Sequence, residues 1–184
     1  HNDNLGCVMQ YVLHWRADYS VLSKKILQNP MVKQMKERDD AWAKEREELL
    51  KKQNEARANT APGKMFSDLD LQNMTNTNNR PSLSDIVGKG RPVLVHFYST
   101  NNEMKNAVEA LWQKRKGGNW DVIGIMTNYV ASSEFYDKIH KDLNISYKLY
   151  YDVSHKSYNN YGLKGDEVIL IGPVGTILKR DIAA

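Results

Sequence analysis

Sulfur chemistry is almost missing from this chain. Cys7 is its single cysteine, so an intrachain disulfide, a CxxC pair and a multi-cysteine metal site are all excluded. The histidines, His1, His14, His96, His140 and His155, are scattered without the close spacing a zinc site needs, and neither metal nor cofactor is expected. No apolar run approaches about 18 residues, so no segment is expected to span a bilayer. Phosphate loops of the Walker or dinucleotide type are absent too. Net charge is only +4, from 26 basic and 22 acidic residues. The two signs interleave through residues 33–57 and form no arginine-rich arm, which argues against nucleic acid as a partner. The chain begins at His1 rather than methionine, from which we expect that an upstream segment, a signal peptide or a tag, has been removed or left out.

What is present suffices for one ordinary domain and a modest extension: 184 residues, 41% hydrophobic and 26% charged. Leu5, Val8, Val12, Trp15, Tyr19, Leu22 and Ile26 recur in steps of three and four, the pattern of a helix with one apolar stripe. Asn29 and Pro30 break it, since proline lacks the amide and restricts its predecessor. A second helix follows, carrying Val32, Met35, Trp42 and Leu49 as a narrow seam in a segment that is more than half charged. Its seven-residue period leaves three roles open: a helical hairpin, a coiled-coil dimer arm, or a cap on the chain's own domain. Cys7 lies on the first helix, as an unpaired residue or as a thiol that pairs with another chain.

Ala61, Pro62 and Gly63 punctuate the chain, and beyond them strands alternate with helices. We therefore expect a helical extension over residues 1–60 and an α/β domain over 61–184. Residues 65–71 read as a short strand, the asparagine-rich run Asn73 to Arg80 as a loop, and Ser82 to Gly88 as a short turn of helix. Pro92 to Tyr98 reads as a central buried strand, followed by Asn101 or Asn102 as the cap of a helix through Lys114. Val122 to Met126 is a second strand, 132–143 a helix, Lys148 to Tyr150 a strand and His155 to Tyr161 a short helix. Val168 to Ile171 and Thr176 to Lys179 close as a hairpin around Gly172 to Gly175. Tyr147, Tyr150, Tyr151, Tyr158 and Tyr161 crowd the last third, as core and loop edges or as a sticky binding rim.

Particular residues narrow the choice of fold. Gly63-Lys64 with Phe66, Ser82-Leu83-Ser84-Asp85, Gly88-Lys89 and the string Pro92 to Thr100 resemble the entry of TlpA-like thioredoxin domains. Tyr161-Gly162-Leu163-Lys164-Gly165, then Val168 to Ile171 and Gly175-Thr176-Ile177, resemble the close of the same domains. The chain is thus identified as a member of the thioredoxin-like superfamily, of TlpA or AhpC/TSA (redoxin) type. The resemblance implies a central mixed β-sheet flanked by helices, with the N-terminal helices as an extension, and a location outside the cytoplasm, in the periplasm.

The resemblance also marks an emptied site. It puts Asn102 and Lys105 where the two active cysteines belong, Asp166 at the family's cis-proline, and His96 at the strand position of a buried acid. Ser99, Thr100, Asn101 and Glu103 would form the rim of any binding surface there. A helix N-terminus stabilises the attacking thiolate in active members, and asparagine has no sulfur to ionise. Peroxide reduction fails likewise, because Glu103 stands three residues after Thr100 where a peroxidatic cysteine is required. At Asp166 a trans peptide and a remodelled loop are expected, because a cis bond before a non-proline residue costs about 2.5–4 kcal/mol. His96 is read as a packed or water-linked histidine, and as a base for Ser99 it fails because residues three apart on a strand face opposite ways. The given sequence ends soon after its last strand, before the closing helix usual in this fold, and part of the N-terminal helical segment is expected to fill that space unless that helix was simply not included. No catalytic residue is expected. The leading expectation is a redox-inactive module that binds or assembles with an unknown protein or peptide. The alternatives are thiol-disulfide exchange through Cys7 or a partner's thiol, and a homodimeric scaffold built through the N-terminal helices.

Overall fold

The computed structural model describes residues 20–115, 117–130 and 132–181. Cys7, His1, His14 and the start of the apolar stripe, Leu5 to Tyr19, lie outside the described residues. The chain divides between Leu49 and Leu50 into two compact units, the second starting well before the punctuation at Ala61. In the first, residues 20–28 are helical and the helix ends at Asn29. The Asn29 side chain then accepts a hydrogen bond from Met31 N at 2.9 Å and starts α1, Pro30–Asn59, with proline in the first helical position, where its missing amide costs nothing.

The second unit is built on a six-stranded mixed sheet in the order β1-β4-β3-β2-β5-β6. Its strands are β1 Leu71–Asn73, β2 Val93–Tyr98, β3 Asp121–Met126, β4 Lys148–Asp152, β5 Glu167–Ile171 and β6 Ile177–Arg180. β2, β3 and β4 run parallel; β5 pairs antiparallel with β2, β6 with β5 and β1 with β4. The helices are α2 Asn102–Arg115, α3 Tyr136–Leu143 and α4 Ser157–Tyr161. β2 is buried along its whole length, as befits a strand covered on both faces.

Alternate residues of β2 separate two cores. Val93, Val95 and Phe97 join Leu71, Ile123, Ile125, Tyr161, Leu163 and Ile169 on one face. Leu94 and Tyr98 join Val108 of α2, Met126, Tyr147 and Leu149 on the other. Tyr147, Tyr150, Tyr151 and Tyr161 are therefore core residues, while Tyr158 is exposed. The expected strand over 65–71 is corrected: Met65 and Asp70 make isolated bridges to Thr176 and Ser82, and the strand begins only at Leu71, where the backbone reaches the edge of β4.

The last turns of α1 dock on this unit through a buried ionic cluster that periodicity did not reveal. Glu167 is bracketed by Arg57 Nη1 at 3.0 Å and Arg180 Nε at 2.8 Å, and the Arg180–Glu167 pair is almost fully buried. Arg180 also donates to Thr60 Oγ1 at 2.8 Å and to the carbonyl of Tyr161 at 2.7 Å, while Gln53 Nε2 donates to the carbonyl of Leu163 at 2.7 Å. Such charges are tolerated away from water because every one of them is paired. Glu167 pairs with Phe97 across the sheet, so α1 supports the face opposite α2. Leu170, on the face of α2, is only half-buried. The described end of the helical segment therefore covers a different face from the one α2 covers.

Candidate functional site

β2 runs without a break into Ser99, Thr100 and Asn101 and then into α2, placing the head of that helix at the carboxyl edge of the parallel strands. Asn101 is the cap: its side-chain oxygen accepts from Met104 N at 3.0 Å and its carbonyl from Lys105 N at 3.0 Å. Asn102 is the first helical residue, and its side chain accepts a hydrogen bond from the Tyr98 hydroxyl at 3.0 Å. Two adjacent asparagines are equivalent on paper; the direction of the backbone decides which one caps.

Asp166 has a bonding role that the sequence did not reveal. Its carboxylate accepts Ser99 N at 2.8 Å, Thr100 N at 3.1 Å and Asn101 N at 2.7 Å, and the Ser99 hydroxyl donates to it as well. An acid from the loop before β5 thus fills the cradle of amides that leads into α2, where unpaired N–H groups and the helix dipole favour negative charge. Asn128 Nδ2 braces the same turn, donating to the carbonyl of Ser99 at 2.7 Å. Among the described residues every peptide bond is trans, Asp166 included.

Lys105 is also engaged. Its Nζ donates to the carbonyl of Leu143 at 2.8 Å, tying α2 to the C-terminal end of α3, the end that favours a cation. The end of α3 is held again by Glu109, which accepts Ser146 N at 2.9 Å and the Ser146 hydroxyl at 2.7 Å. Burial pushes the Glu109 carboxyl up, but hydrogen bonds from Gln113, Ser146 and Tyr147 outweigh it and leave the group below its ordinary value. Thr100 and Glu103 are exposed at the rim.

His96 lies beneath the head of α2, fully buried. Its Nδ1 is 3.2 Å from the Tyr147 hydroxyl and its Nε2 has no partner. Burial lowers its pKa to about 4, although the charge on Asp166 pulls the other way, so the ring is neutral near neutrality. Burial, with a smaller contribution from Asp166, raises Tyr98, and burial raises Tyr147 strongly. Ser99 faces Asp166 while His96 faces Tyr147, so serine and histidine do not form a nucleophile–base pair.

Asn102, Lys105, Asp166 and His96 thus surround one helix start, each with a bonding role in the fold. No group of side chains suited to hold a metal ion occurs among the described residues. The carboxylate cradle was missed in the sequence; the available signal was an acid immediately before a buried strand.

The sheet order and the helix that follows β2 define a thioredoxin-like fold, here without a CxxC motif. No protein-family model matches the chain, and no curated protein matches it in sequence. Solved structures do match in fold. The thioredoxin domain of a thiol-disulfide oxidoreductase from Bacteroides vulgatus aligns with TM-score 0.57 at 19% identity, over 67% of this chain and 90% of that one. A thiol-disulfide oxidoreductase from Bacteroides fragilis aligns with TM-score 0.55 at 22% identity, over 66% and 92%. A thiol:disulfide interchange protein from a Bacteroides species gives 0.56 at 18%, over 67% and 82%. These likenesses establish the fold.

Proposed function

We propose that this chain is a redox-inactive thioredoxin-like domain of the TlpA or AhpC/TSA type, a module that binds or assembles with a protein or peptide outside the cytoplasm. One observation carries the reading: the three amides ahead of α2, which would otherwise stabilise a thiolate, are spent on the carboxylate of Asp166. A fixed negative charge there opposes a second one. The side chains at the cysteine positions, Asn102 and Lys105, bond to Tyr98 and to the end of α3. The periplasmic location rests on the resemblance, and the absence among the described residues of a helix long and apolar enough to cross a membrane is compatible with it.

The direct test is reduction of an insulin-type disulfide with a supplied reductant, in which the chain should give no turnover above the uncatalysed rate. A sharper test restores the sulfur. The Asn102→Cys/Lys105→Cys variant should remain poorly active, and adding Asp166→Ala should raise its rate by about tenfold or more, the effect of roughly 1.4 kcal/mol on a thiolate. Equal rates with and without Asp166 would remove the carboxylate from the explanation. The competing reading, exchange through Cys7, draws on the likeness in fold to thiol-disulfide oxidoreductases. It predicts turnover that Cys7→Ser abolishes.

A further inference from the structure

The first unit carries a stripe that the emptied site does not explain. Met31, Met35, Trp42 and Leu49 are 72%, 50%, 59% and 59% exposed. At 3.6 residues per turn they fall within about 40° of arc, a continuous apolar line along α1. Four charges border it, Arg38 and Glu45 on one side, Asp39 and Arg46 on the other. Elsewhere on the helix acids precede bases by four residues, as in Asp40/Lys44, Glu47/Lys51 and Glu48/Lys52, a spacing that pairs them within the helix. Arg38, Glu45 and Arg46 have no opposite charge three or four residues away, and among the described residues none of the four is in an ion pair. Arg38 lies against the Trp42 ring instead, 5.6 Å from its centre.

From Met35 to Leu49 the stripe and its borders are symmetric about Trp42. We propose that α1 pairs antiparallel with α1 of a second copy of this chain, with the two-fold axis at Trp42. In that arrangement Met35 meets Leu49 of the second copy and Trp42 meets Trp42. A perpendicular two-fold keeps each border facing its own counterpart, so Arg38 meets Glu45 and Asp39 meets Arg46, each pair formed twice. Four opposite-charge pairs then flank an apolar seam, the arrangement that sets partner choice in helical pairs. A parallel pair would set each border against the opposite one, Arg38 beside Asp39 and Glu45 beside Arg46, so only an exchange of charges within one border separates the two directions. The inference goes beyond the emptied site and stands whether or not that site is inert.

The test is sedimentation equilibrium of the full chain, in reductant so that Cys7 cannot cross-link copies. The wild-type chain should be dimeric at about 10 µM, and Trp42→Lys monomeric with the unfolding midpoint of the second unit unchanged. Arg38→Glu should weaken the dimer about tenfold, and Arg38→Glu/Glu45→Arg should restore it to within about threefold. In a parallel pair the double swap sets the introduced acid beside Asp39 and the introduced base beside Arg46, so it weakens the dimer further. A wild-type monomer at about 100 µM overturns the proposal and leaves the stripe to the chain's own first helix. A dimer indifferent to Trp42→Lys, or a double swap that fails to recover, overturns it equally.

Discussion

Lowering the pH should expose the cost of burying His96. In the folded chain its pKa falls from 6.5 to about 4 because the ring is fully buried, with Nε2 unpartnered, in a setting that disfavours the charged form. The unfolded chain therefore binds a proton on this residue below about pH 6.5 that the folded chain refuses until about pH 4. Stability is complete above that window, declines as the pH falls through it, and levels off beneath it. At 1.36 kcal/mol for each unit between the two values, the ceiling is about 3 kcal/mol, of which about 2 kcal/mol falls between pH 7 and pH 5. Glu109 and Asp181 also have lowered values, but as carboxylates they act at the bottom of that range and below it. Urea unfolding at the two pH values, for the wild-type chain and His96→Phe, isolates the effect: the variant keeps a ring in place and should lose about 2 kcal/mol less on acidification. If that variant does not fold, the imidazole resonances of the wild-type chain give the same answer. A His96 ring that protonates near its ordinary value in the folded chain, or identical acid sensitivity in both proteins, would refute the reasoning.

Asp166→Ala removes an acceptor from three amides and a hydroxyl. Water can reach that turn in part, so the loss should be about 2 kcal/mol, read as a fall in melting temperature of roughly 5–10 °C. An unchanged midpoint would mean that the carboxylate does not hold the turn. Gly162→Ala should cost more, about 3 kcal/mol or above, because the residue has φ +58° and an added Cβ would stand within 2.8 Å of Arg57 N and closer still to the carbonyl oxygen of Gln53. The effect should appear first as faster hydrogen exchange at the end of α1, and protection equal to wild type would contradict the close packing.

The sequence by itself determined the class of fold and the absence of a CxxC pair. Alternating apolar runs and helical periods are local properties, legible in Pro92 to Tyr98 or in Val122 to Met126 because a buried strand must be apolar wherever it lies. The missing cysteines are composition, and no folding can supply sulfur at Asn102 or Lys105. Tertiary structure decided what occupies the amide cradle ahead of α2 and what locks the end of α1. Asp166 lies 65–67 residues from the amides it receives, and Glu167 lies 110 residues from Arg57. Hydrogen bonds and ion pairs of that span leave no periodic trace, since one acid at one position suffices and its partners include main-chain groups that every residue carries. The same limit applies to the exact ends of elements. Asn101 rather than Asn102 caps α2, and β1 starts at Leu71 rather than at residue 65, because each boundary is set by where the backbone meets a neighbouring element.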